Sequence, residues 1–79
     1  MNEKIKALLK ELVLGQEKRL FKMGRDIVPK LTSEDILQPN DYPELENNPL
    51  FRYEEGVLEG LKTAEMALLA LYQDEKMKL

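Results

Sequence analysis

Apolar residues recur along the first third of the chain at helical intervals. Ile5, Leu8, Leu9, Leu12, Leu20, Met23 and Ile27 are separated by three, four or multiples of these, and Lys, Glu, Arg and Gln fill the intervening faces. Those polar residues are also good helix formers, so pattern and propensity agree. Gly15 interrupts the run at a cost of up to ~1 kcal/mol relative to alanine, too little to end so regular a helix. Pro29 does end it, because the residue before a proline is pushed out of the helical region. The spacing predicts a first helix over residues 3–27.

The last third carries a second, longer helix. Asn48-Pro49 is a start signal, with Asn at the N-cap and Pro at the first helical position. Leu50, Tyr53, Val57, Leu61, Ala64, Leu68 and Leu71 follow at spacings of 3, 4, 4, 3, 4 and 3. This is a coiled-coil-like seam, flanked by Phe51, Leu58 and Tyr72. The pattern predicts a helix over 49–74, with Leu61 and Leu68 buried at the centre of the seam.

Between the helices, residues 28–48 form a connection well beyond the 2–8 residues usual in bundles. Thr32 or Ser33 can cap a short helical turn at 33–37. Pro39, Asn40, Asp41, Pro43, Asn47 and Asn48 are turn formers. Yet Leu31, Ile36, Leu37, Tyr42 and Leu45 are too many apolar side chains to leave in water. The connection is therefore expected to be an ordered cap over one end of a helical hairpin, with Tyr42 and Leu45 packed down, or one side of a docking site. Its acids and the start of the second helix, Tyr42, Glu44, Leu45, Glu46, Phe51 and Glu54, are the expected partner-facing surface.

Size changes this picture. The 79 residues make one domain, with no cysteine for disulfides. A core in this size range seldom supplies more than about 3–5 kcal/mol. A hairpin buries only the stripe between its helices, so the expectation is all-α, two copies pairing into a four-helix bundle. Gly56, Gly60 and Ala64 lie four apart on the second helix, beside Leu61 and Leu68. Small residues at that spacing let another backbone approach, within the chain or across a dimer.

Charge is segregated. Residues 1–31 hold eight Lys/Arg against four Asp/Glu, residues 32–55 one against seven, and residues 56–79 three against four. The densest basic cluster is Lys18, Arg19, Lys22 and Arg25, with Lys18, Lys22 and Arg25 on one helical face. It offers a nucleic-acid surface as an alternative function. A solvated face partly neutralised by the chain's own acids is the simpler reading, since the chain is acidic overall and its aromatics are not interleaved with the basic residues.

Candidate chemistry is sparse. The chain has no histidine, no Gly-rich phosphate loop and no EF-hand spacing. Ser33, the only serine, stands where a cap is expected. The acids could hold a hard cation only weakly, and carboxylate catalysis would need a dry pocket that two helices do not form. The expectation is a non-enzyme without cofactor or metal. The longest apolar run, Met66 to Tyr72, is far short of the ~20 residues a membrane helix needs, and the charged N-terminal stretch does not read as a signal peptide. A cytoplasmic, dimeric interaction module, an adaptor, chaperone-like factor or regulator, follows as the functional expectation.

Overall fold

The computed structural model describes residues 3–38 and 41–77. Pro39 and Asn40, two of the expected turn formers, lie outside the described residues. The elements are α1 (Glu3–Ile27), a 3-10 turn (Asp35–Leu37), α2 (Pro43–Glu46) and α3 (Pro49–Met77), with no strand among the described residues. α1 and α3 pack as a hairpin, and the fold measures 50 × 20 × 20 Å.

The breaks between elements follow local chemistry. Val28 N–H still donates to the Gly24 carbonyl at 2.7 Å, and then the chain turns through Pro29 and Lys30 so that Leu31 N–H reaches the Val28 carbonyl at 2.9 Å. Proline's fixed φ suits this position of a turn. Thr32 opens the next turn with a reciprocal pair. Its Oγ1 accepts from Asp35 N–H at 3.2 Å, while its own N–H donates to Asp35 Oδ2 at 3.0 Å. This is the capping-box arrangement with aspartate in place of glutamate.

α2 is the element the sequence pattern does not signal. Tyr42 is extended (φ −127°, ψ 97°), as a residue before proline prefers, and Pro43 starts a single helical turn. That turn places Leu45 in the core with no exposure. α3 begins as expected: Asn48 Oδ1 accepts from Phe51 N–H at 3.0 Å.

The core sits at the connected end of the hairpin. Val13 and Leu20 from α1, Leu31 and Leu45 from the connection, and Phe51 and Leu58 from α3 are buried together. Ile36 and Tyr42 pack against them, so the described residues of the connection cap this end of the hairpin. Gly24 is what lets this cap come close. A Cβ there would lie 2.6 Å from Leu31 Cδ2 and 2.9 Å from Ile36 Cδ1, distances no real Cβ tolerates without displacement.

The expected inward seam of α3 is not the one that packs on α1. Leu50 is 69% exposed, Tyr53 68% and Leu68 37%, while Leu71 is also exposed and Leu61 is half-buried. The face turned to α1 instead runs Phe51, Glu54, Leu58, Leu61, Glu65 and Leu69. The rotation has a physical cause. Gln16 and Arg19 on α1 offer donors that make it possible to bury the Glu54 carboxylate, and the cap pulls Phe51 inward.

Candidate functional site

Three surfaces could carry function: the acidic cap, the basic face of α1, and the apolar face that the hairpin leaves uncovered.

The cap is held by polar contacts as well as by its core. The Tyr42 hydroxyl bonds to the Asp35 carboxylate. The Thr32 backbone N–H holds the Asp35 carboxyl below its ordinary range; desolvation opposes it, and the Tyr42 and Thr32 hydroxyls add smaller effects in the lowering direction. The same hydrogen bond, with desolvation and the nearby acids, pushes the Tyr42 phenol up. Arg52 links α2 to α3: its Nε donates to the Glu46 carbonyl at 3.0 Å and its Nη1 pairs with Glu55 at 2.7 Å. Glu44 and Glu46 are exposed on this cap, as are Glu34 and Asp41. Leu45 and Phe51 have no exposure and Glu54 is 8% exposed, so these three belong to the interior rather than to a partner-facing surface. Tyr42 is half-buried.

Glu54 shows how a carboxylate is accommodated between the helices. Gln16 Nε2 donates to its Oε2 at 2.6 Å and to its backbone oxygen at 3.0 Å, and Arg19 Nε lies 3.3 Å from the same Oε2. Charge-assisted bonds of this kind offset the desolvation that burial imposes. No buried side-chain polar atom lacks a partner among the described residues. An acid flanked by apolar residues in the α3 pattern, with Gln and Arg three apart on α1, is the sequence signal for this cluster.

The four cations of the basic face do not act as one free patch. Arg19 is paired with Glu54, and Arg25 donates to the Pro29 carbonyl at 3.3 Å while standing over the Phe21 ring at 5.8 Å. Lys18 and Lys22 are exposed.

The uncovered apolar face draws on both long helices. Ile5, Leu8 and Leu12 on α1 and Leu50, Tyr53, Leu68 and Leu71 on α3 are all exposed. At about 100° per residue, each stripe lies roughly 90–110° from its helix's inward face, and in an antiparallel pair these two offsets turn to the same side. The ion pairs agree: Arg19 reaches Glu54 on this side, and Lys62 reaches Glu17 at 3.7 Å on the other. Gly56, Gly60 and Ala64 are exposed beside this face, and a Cβ on either glycine would meet nothing within 4 Å. A close contact there within the chain is therefore ruled out.

A shallow cavity of about 320 Å³ opens on the opposite side of the open end, lined by Leu9, Leu69, Lys6, Lys10, Glu3 and Glu65 among others. Its charges are mixed and its floor is small. No group of three or more metal-ligating side chains occurs among the described residues, and no described helix is long and apolar enough to cross a membrane. Comparison with known protein families, with characterised proteins and with solved structures gives no significant match.

Proposed function

We propose that this protein is a non-catalytic interaction module that works as a helical homodimer, and that the acidic cap is the surface it offers to a protein partner. The observation that carries the reading is the uncovered apolar face. The chain exposes 6127 Å². A monomer of 9.2 kDa is expected to expose about 4,900 Å². Part of the excess of about 1,200 Å² follows from the elongated 50 × 20 × 20 Å shape, and its size is within the range each chain of an obligate homodimer buries. An extended apolar face on so small a chain is the kind of surface that marks an interface.

The cap supports the second half of the proposal. It is anchored through the buried Leu31, Leu45 and Phe51, yet turns Glu34, Asp41, Glu44 and Glu46 to solvent. Pre-ordered charges of one sign favour a basic partner and speed its encounter. The alternative, a nucleic-acid-associated regulator acting through the basic face, has two of its four cations engaged within the chain.

Sedimentation equilibrium at micromolar concentration tests the dimer; a sharp, stable monomer refutes it. The cap is tested by affinity capture with the parent and with a Glu44→Lys, Glu46→Lys variant. Proteins captured equally by both argue against this surface.

A further inference from the structure

The exposed stripe of α3 has an internal symmetry. Leu50, Tyr53 and Val57 on one side and Ala64, Leu68 and Leu71 on the other stand at equal distances from the Gly60–Leu61 peptide. Turned end over end, the stripe overlays itself. Leu50 meets the partner's Leu71, Tyr53 the partner's Leu68, and Val57 the partner's Ala64. Such self-complementarity is what a twofold interface requires.

The sizes of the side chains fit the same arrangement. Two helices that cross are closest at the crossing point and diverge away from it, so small residues suit the centre and large ones the ends. Gly60 stands at the centre with open space over it, beside the half-buried Leu61 and flanked by the shorter Val57 and Ala64, while Leu50, Tyr53, Leu68 and Leu71 stand towards the ends.

Charge separates the two ways of pairing hairpins face to face. The connected end, residues 25–55, holds three Lys/Arg against eight Asp/Glu. The open end, residues 3–10 with 65–77, holds four of each. Hairpins aligned with their connections together would set two strongly acidic ends side by side. Opposed hairpins set each acidic end against a neutral one.

Packing points the same way. The stripe of α1 is apolar at Ile5, Leu8 and Leu12 but turns polar at Arg19 and Asp26. Opposed hairpins lay the doubly apolar open end of one copy over Leu50 and Tyr53 of the other, which spreads apolar contact along the whole face.

Resting on the homodimer reading above, we infer that two copies pack with their connections at opposite ends, α3 crossing the partner's α3 at Gly60. The dimer then carries two acidic caps facing away from each other.

These 79 residues contain no cysteine, so single introduced cysteines report the arrangement directly. Gly60→Cys, which meets no obstruction in the single chain, is expected to form a disulfide-linked dimer readily under mild oxidation. Glu59→Cys, turned away from the stripe, is expected not to. A disulfide needs Cα atoms within about 7 Å, so the bond reports the crossing itself. Spin labels at Asn47→Cys are expected roughly 40 Å apart, since Asn47 is thirteen positions from Gly60 and each helical residue rises about 1.5 Å. Gly60→Leu is expected to lower dimer affinity at least tenfold with helix content unchanged.

A dimer whose Asn47 labels lie within about 20 Å, and whose Gly60→Cys variant does not cross-link, overturns this arrangement while leaving the homodimer standing. That shorter distance follows from hairpins side by side at interaxial distances of about 8–10 Å. A Gly60→Leu variant that dimerises like its parent also overturns it. Failure of the parent to dimerise overturns the homodimer itself.

Discussion

Gly15 and Gly24 are both interior glycines of α1, and replacing each by alanine separates backbone propensity from packing. In a helix interior the change to alanine gains about 0.8–1 kcal/mol. At Gly15 nothing lies within 4 Å of the new methyl, so the whole gain is expected to appear. At Gly24 the methyl would sit 2.6 Å from Leu31 Cδ2 and 2.9 Å from Ile36 Cδ1, and 3.5 Å from Phe51 Cε2. Leu31 is 2% exposed and Phe51 fully buried, so the neighbours have little room to yield. Overpacking of this kind costs about 1–3 kcal/mol. The net expectation is a loss of about 0–2 kcal/mol for Gly24→Ala against a gain of about 1 for Gly15→Ala. Thermal and urea unfolding at one fixed protein concentration measures both, with about 4–8 °C per kcal/mol in a chain of this size. Combining Gly24→Ala with Leu31→Ala removes the closer of the two clashes and leaves Ile36 Cδ1 at 2.9 Å, so the pair should be less destabilised than the sum of its parts. If Gly24→Ala stabilises as much as Gly15→Ala, the connection does not press on α1 and the cap is wrongly placed.

Other substitutions probe the remaining contacts. Leu45→Ala and Phe51→Ala, at sites with no exposure, should each cost about 2–5 kcal/mol in chemical denaturation, and a change below about 0.5 would place them outside the core. Gln16→Ala removes both amide donors to Glu54 and should cost about 1–3 kcal/mol, whereas Gln16→Glu should cost more by setting a second carboxylate against the first. The Asp35 carboxyl is held below its ordinary range, so its contribution to stability is present above the unfolded value, about pH 4, and is lost as pH falls through the lower folded value. Asp35→Asn should therefore flatten the acid limb of a stability–pH profile, and an unchanged limb would show that the bonds to Thr32 and Tyr42 do not persist in solution. Leu68→Ala, at a half-exposed position, should leave monomer helix content intact and weaken self-association; a cost of several kcal/mol under conditions where the chain is monomeric would restore Leu68 to the hairpin core.

Local chemistry determined the two long helices of this protein, though not the short α2. A 3.6-residue apolar period, Pro29 as a stop and Asn48-Pro49 as a start act over a few residues, and α1 and α3 follow from them. The ordered cap was also legible, because Leu31, Tyr42 and Leu45 could not remain in water together. What the pattern left open was which side of α3 faces α1. Two overlapping stripes share Leu61, and periodicity favours the one through Leu50, Tyr53, Leu68 and Leu71, because the other contains Glu54 and Glu65. Only tertiary structure reverses that preference. Gln16 and Arg19 come from a helix more than thirty positions away, and their donors make burial of Glu54 possible while Phe51 closes onto Gly24. The more apolar stripe is thereby left facing outward. Its hydrophobicity was plain in the sequence, but its orientation depended on contacts between residues far apart in the chain, which a local period does not encode.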